Sequence, residues 1–176
     1  MGTNASTEPL RAARLGETPG EIPLEGREVV REAVWALSRQ ARDRVWIAAP
    51  RLDLRIFGDP RLESTLSAFL RAHRRARVRV LVQDARALAR VDHPLLRLSQ
   101  RLSSRMAIRR QSEDFAGFHE TWLLADEAGL MRMPHPDRYT ATAWFSAAQE
   151  LRELSGEFEI MWVSAVLDPD LRRLGV

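Results

Sequence analysis

His119 and Asp126 stand seven positions apart, with Glu120 and Thr121 directly after the histidine and the apolar run Trp122-Leu123-Leu124-Ala125 between them. Near neutral pH, histidine is the side chain best suited to act as a base, a nucleophile or a metal ligand. The same residues also have plainer roles. A histidine at a strand edge is often satisfied by a backbone carbonyl, and an aspartate that opens a turn caps its own hairpin. His119, Glu120 and His135 are metal-binding types, but their spacing matches no established ligand pattern, so neither a metal nor any other cofactor is expected.

The cation that phosphoryl chemistry usually wants is missing from the histidine's surroundings. The chain has no lysine, and all 27 of its basic residues are arginines. Arginine is a good bidentate phosphate ligand. Arg109, Arg110, Arg132 and Arg138 are the nearest in sequence, so they join Thr121 as the expected anion-binding set. A second basic feature, residues 71–79, carries Arg71, Arg74, Arg75 and Arg77. These suit a phosphate-tracking patch for nucleic acid. Solvation of a helix C-terminus is the favoured alternative, because no aromatic side chain lies nearby to stack on bases.

The remaining composition bounds the problem. With 176 residues and 45% hydrophobic content, the chain can build one core in one domain. The absence of cysteine excludes disulfides and thiolate metal sites. A net charge of +3 does not by itself argue for nucleic acid. No apolar run approaches the ~20 residues of a membrane span, and the first 25 or so residues lack a signal-peptide core, so a cytoplasmic protein is expected.

The elements that must position these residues follow from pattern. Residues 1–26 are rich in Gly, Pro, Thr and Glu and show no period. They read as a mobile lead-in, docked at most through Ile22 and Leu24. From Arg27 the stripe Val29, Val30, Ala33, Val34, Leu37 predicts a helix. Val45 to Ala49 reads as a buried strand ended by Pro50. Asp59-Pro60 starts a second helix, and Val78 to Val82 forms a second strand. A third helix is expected from Ala85 to Leu102, interrupted by Pro94, and Met106 to Ile108 gives a third strand. Alternation of this kind predicts a parallel sheet covered by helices. Further on, strands are expected at 120–125, 129–133 and 139–145, with Ala128-Gly129 as a tight turn. A helix over 147–164 and a last helical turn after Leu167 complete the chain. The five tryptophans read as core, with Trp122 and Trp144 near the candidate site.

His119-x-Thr121-x4-Asp126 has the spacing of the phospholipase D motif, His-x-Lys-x4-Asp. Its position after a parallel α/β half, and before a hairpin, a strand and a helix carrying Glu157 and Glu159, resembles the phospholipase D-like superfamily over residues 27–165. More loosely, the chain resembles uncharacterised bacterial domains that occur alone or beside acetyltransferase domains, although no acyl-CoA pyrophosphate loop is present. The resemblance implies an α/β phospholipase D-like sandwich, a mostly parallel mixed sheet with helices on both faces, as one domain over 27–176. It gives His119 the nucleophile position and Asp126 that of the motif Asp, which helps orient a histidine. Thr121 stands where the lysine should be, and the Gly-Ser-x-Asn segment expected after the Asp is replaced by Met133-Pro134-His135-Pro136. The expectation is therefore a degenerate domain acting as a binding or accessory module that retains a phosphate pocket, with a phosphate-containing ligand or a protein partner. The alternative is a dimeric phosphodiesterase for phospholipid or nucleic acid, with His119 from both chains of a homodimer.

Overall fold

The computed structural model describes residues 7–172. Its centre is one seven-stranded sheet with strands in the order β1-β7-β6-β5-β2-β3-β4. The strands are β1 (Glu21–Glu25), β2 (Arg44–Ala49), β3 (Arg77–Val82), β4 (Met106–Arg110), β5 (Thr121–Ala125), β6 (Gly129–His135) and β7 (Thr140–Trp144). Seven α-helices accompany them among the described residues: α1 (Glu8–Ala12), α2 (Arg27–Ser38), α3 (Leu54–Phe57), α4 (Pro60–Ala72), α5 (Ala85–Arg90), α6 (Pro94–Arg101) and α7 (Ala148–Ser164).

The sheet is mixed, as expected, but parallel pairing is confined to β2–β3 and β3–β4. The other four pairings, from β2–β5 outward to β1, are antiparallel. The reason is connectivity. Helical crossovers join β2, β3 and β4, whereas β5, β6 and β7 follow one another through short turns.

Alternation along β2 shows how the two faces are filled. Val45, Ile47 and Ala49 point into a core with α2, α4, α5 and α6, while Trp46 and Ala48 point to the other face, under α7. Under α7 the rings of Trp46 and Phe158 stack at 4.8 Å between centroids, and Phe158 stacks on Trp162 at 6.0 Å. Arg79 sits between Trp46 and Trp162, 5.3 and 5.2 Å from their centroids, and pairs with Glu159 at 2.9 Å. Cations stacked on buried rings in this way pack as well as pair.

Three expectations need correction. Residues 7–25 are built into the fold: Leu10 and Leu24 are fully buried, and β1 pairs with β7 along its whole length. Two buried leucines fasten this segment, too few to give a period, and Pro23 hid the strand. The rest of the expected lead-in, residues 1–6, lies outside the described residues. The β5–β6 turn is the three residues Asp126-Glu127-Ala128, with Asp126 at φ 52°, rather than a two-residue Ala128-Gly129 turn, because Gly129 already belongs to β6. Gly129 serves packing instead, since a Cβ there would lie 2.6 Å from Leu15 and 2.9 Å from Leu37. Finally, the expected third helix is two helices, because Pro94 opens α6 and His93 caps it.

His93 is fully buried, and its Nδ1 accepts from the Leu95 N–H at 3.1 Å. Burial first, then Arg97, pushes its pKa down to about 4, against the opposing influence of Asp53 and the Leu52 carbonyl. The unfolded chain therefore binds the extra proton first, so stability rises with pH across this window. It is lost as pH falls from about 6.5 towards 4, by up to about 3 kcal/mol. Urea unfolding at pH 7 and pH 4.5 measures the loss. The His93→Asn variant keeps a capping acceptor and is expected to lose this part of the pH dependence.

Candidate functional site

β5 runs antiparallel to β2, so the start of β5 meets the C-terminal end of β2. His119 stands two residues before β5, exposed, at the mouth of a cleft of about 790 Å³. The cleft floor includes Thr121, the first residue of β5, which is 1% exposed and in register with Met133 of β6. Pro50, Arg51 and Asp53 after β2, and Asp84 after β3, form the opposite side.

The histidine ring is oriented by its own loop. Its Nδ1 lies 3.2 Å from the Gly117 carbonyl oxygen. A carbonyl only accepts, so in the neutral ring this contact calls for the proton on Nδ1 and leaves Nε2 as the acceptor. Gln83, just past β3, fastens the loop that makes this contact: its amide N–H group donates to the Phe118 carbonyl at 2.6 Å and to that of Phe115 at 3.2 Å. The Gln83 backbone N–H in turn donates to Pro50 O at 3.1 Å. The ends of β2 and β3 and the histidine loop are thus tied into one frame.

Glu120, the next residue, is turned away from ligand chemistry. It accepts from Arg132 at 2.7 and 2.8 Å and from the Trp122 indole N–H at 2.7 Å. The Arg132 guanidinium holds its carboxyl below the ordinary value against an opposing effect of burial, and Trp122 and His119 add to the lowering. His119, Glu120 and His135 form no metal cluster, and none of three or more such side chains exists among the described residues.

Asp126 is not beside His119. Seven residues of nearly extended chain put them on the order of 20 Å apart. The Asp126 carboxylate instead accepts three backbone N–H groups of the α2–β2 loop: Arg42 at 2.9 Å, Asp43 at 2.8 Å and Arg44 at 3.0 Å. Its left-handed backbone turns the hairpin while its side chain anchors a neighbouring loop, so it caps another element rather than its own hairpin.

None of the four arginines nominated from sequence lines this cleft. Arg109 lies over the Trp162 ring at 4.3 Å and donates to the Trp162 carbonyl at the end of α7. Arg110 pairs with Asp168 at 2.8 Å and with Glu113. Arg132 is spent on Glu120, and Arg138 is exposed beyond the lining. The cations in the cleft are Arg51 and Arg55, neither singled out from sequence. Arg51 is exposed, and its side chain has no hydrogen-bond or ion-pair partner among the described residues. Arg55 reaches the Tyr139 hydroxyl at 3.4 Å, which itself donates to Asp53 at 2.5 Å. Arg51 could have been found by one signal, its place directly after Pro50 at the end of a buried strand, where open α/β sheets bind ligands. Trp122 and Trp144 pack on the α7 face and do not reach the cleft.

With this geometry in hand, the relatives are informative. A family model described as a domain of unknown function (DUF7931) matches residues 26–174. The chain belongs to that family. No curated protein matches it. Among solved structures it resembles the phospholipase D family member Nuc from Salmonella typhimurium, with a TM-score of 0.62 and 10% identity over 85% of this chain and 97% of that one. NucT from Helicobacter pylori gives 0.59 and 9% over 85% and 99%. TrmBL2, an archaeal chromatin protein whose structure shows a novel mode of DNA binding, gives 0.60 and 15% over 85% of this chain, which spans 54% of the length of TrmBL2. At these identities the likeness establishes the fold: this DUF7931 chain has the phospholipase D-like α/β architecture.

Two substitutions separate scaffold from site. Asp126→Ala orphans three backbone donors and is expected to cost about 2–3 kcal/mol in urea unfolding while leaving the His119 ring signals in place. Gln83→Ala is expected to cost little stability but to release the loop. Nitrogen-detected histidine NMR would then show the Nδ1–H form of His119 giving way to the Nε2–H form; an unchanged tautomer would remove Gln83 from the site.

Proposed function

We propose that this DUF7931 chain is a catalytically degenerate phospholipase D-like domain, working as a binding or accessory module whose cleft holds one phosphate or phosphodiester group. The observation that carries this is the sharing of one cleft by the His119 ring and two arginines, with a neutral, buried Thr121 at the position of the motif lysine.

Charge and shape narrow the ligand. Arg51 and Arg55 are set against the carboxylates of Asp53, Asp84 and Asp137, two cations to three anions. Asp53 and Asp84 are engaged in helix capping, accepting from Arg55 N at 2.8 Å and Ala87 N at 2.9 Å. Such a balance tolerates a monoanion better than a polyanion. The apolar wall includes Leu88 and Phe57, and Leu54 and Val91 stand 43% and 49% exposed at the rim. Aliphatic rims suit an alkyl substituent on the phosphoryl group rather than a stacked base.

A weaker second reading, a dimeric phosphodiesterase, is favoured by His119 Nε2, which no protein group engages among the described residues, and by the exposure of the ring. In that case Arg51 would take over the role of the lysine, and a second copy would supply the other histidine.

Calorimetry with inorganic phosphate and dimethyl phosphate, alongside turnover of bis(p-nitrophenyl) phosphate, distinguishes the two. The expected result is binding without turnover, weakened about tenfold by Arg51→Ala. Turnover abolished by His119→Ala would establish the phosphodiesterase instead, and no binding of either anion would sink both.

A further inference from the structure

The end of the sheet opposite the cleft, where β2, β3 and β4 begin, is crowded with arginine. Arg71 lies in the last turn of α4, Arg74 and Arg75 make the turn that follows, and Arg77 opens β3. Arg42, in the α2–β2 loop, joins them, because the Arg77 N–H donates to the Asp43 carbonyl at 3.1 Å and stitches the two loops together.

Arginines after a helix usually need no further explanation, since they complement its terminal carbonyls. Here that task belongs to Arg105, whose guanidinium donates to the carbonyls of Leu70 and, at 3.3 Å, His73. Arg77 is also engaged, donating to Ala76 O at 2.8 Å. The side chains of Arg42, Arg71, Arg74 and Arg75 are exposed and have no hydrogen-bond or ion-pair partner among the described residues. Of the carboxylates at this end, Asp126 is filled by its three backbone donors, which leaves Asp43 and Glu127 exposed. Four uncommitted guanidinium groups are more than local structure requires.

We propose that this arginine end is a docking surface for the phosphate backbone of duplex nucleic acid, separate from the cleft. Guanidinium forks match phosphate oxygens bidentately and keep their charge at any physiological pH. Single strands are disfavoured, because the surface offers no exposed aromatic ring for bases to stack on. A membrane is disfavoured because the exposed large apolar side chains among the described residues, Leu54, Val91, Ile160, Val163, Val166 and Leu167, all lie elsewhere, at the cleft mouth or on α7 and the tail after it. Residues 71–77 run from a helix end through a turn to a strand start, so they cluster well within the ~20 Å the same stretch would span if extended, matching a short run of phosphates on one duplex backbone.

Fluorescence anisotropy of the full chain with a duplex of about 20 base pairs, across 50–200 mM salt, tests this. Parallel titrations use the single strand, anionic phosphatidylserine vesicles and polyglutamate. The expected result is duplex binding whose log K falls with log salt at a slope of about −0.9 per phosphate neutralised. Replacing Arg71, Arg74 and Arg75 together by Ala is expected to reduce that slope by about 2.7, with the circular dichroism spectrum and melting temperature unchanged. Arg51→Ala, in the cleft, is expected to leave duplex binding intact, so the surface and the cleft fail or stand separately. No duplex binding at 50 mM salt, an unchanged slope in the triple variant, loss of binding in Arg51→Ala, or preference for vesicles, polyglutamate or the single strand would each overturn the proposal.

Discussion

Strand β2 is the constraint on which the rest of the molecule depends. Among the described residues it is the one strand paired parallel on one side, to β3, and antiparallel on the other, to β5. The parallel side makes the crossovers end in loops at one edge of the sheet. The antiparallel side brings the start of β5, and hence His119, to that same edge. Cleft and histidine meet because the sheet changes sense at β2, not because any local sequence draws them together. Both faces of β2 are buried, so a slip of one residue would turn Trp46 into the helical core and Val45 and Ile47 under α7. Packing on both sides therefore holds the register that places the site.

Ion pairing follows a similar division of labour. Three of the four arginines nearest His119 in sequence are consumed by structure. Arg109 and Arg110 leave β4 at the cleft edge, yet α7 and the tail after it reach over them and supply a carbonyl, an indole face and Asp168. Arg132 is the strand neighbour of Met133 in the cleft wall, but it points to the other face, where Glu120 neutralises it. Strand alternation alone separates these outcomes. What the cleft retains is Arg51 with no partner and Arg55 reaching the Tyr139 hydroxyl, a weaker field than a lysine fixed on the strand would supply.

The legible parts of this chain were those with period. The β-branched strands β2 and β3, the Asp59-Pro60 start of α4 and the amphipathic α2 and α7 came from spacing alone, because burial on one or both faces leaves a repeat in the sequence. The motif spacing around His119 pointed to the architecture that the solved relatives share. β1, α1 and α3 were not legible. Each is five residues or fewer, fixed by one or two buried side chains such as Leu10, Leu24 and Phe57, and short elements leave no period. The task of Asp126 was hidden for a different reason. Its donors lie more than eighty residues earlier, and nothing in its own neighbourhood announces them.

On the proposed reading, binding and chemistry make different demands on this site. Binding a monoanion needs a pocket, a charge at moderate distance and a few donors, and an arginine on a neighbouring loop can provide the charge. Accelerating phosphoryl transfer needs a cation aimed at the oxygens where charge builds up in the transition state, already in place and shielded from water. Thr121 occupies the buried strand position from which such a cation would act, and its hydroxyl offers a hydrogen bond without charge. Arg51 approaches from an exposed loop, where water screens it and no hydrogen-bond or ion-pair partner among the described residues fixes it. An interaction equally strong in the ground and transition states improves binding without raising the rate. The frame of Gln83, Pro50 and the histidine loop fits that proposed balance: its hydrogen bonds hold the loop that carries His119 and bring no further cation to the cleft.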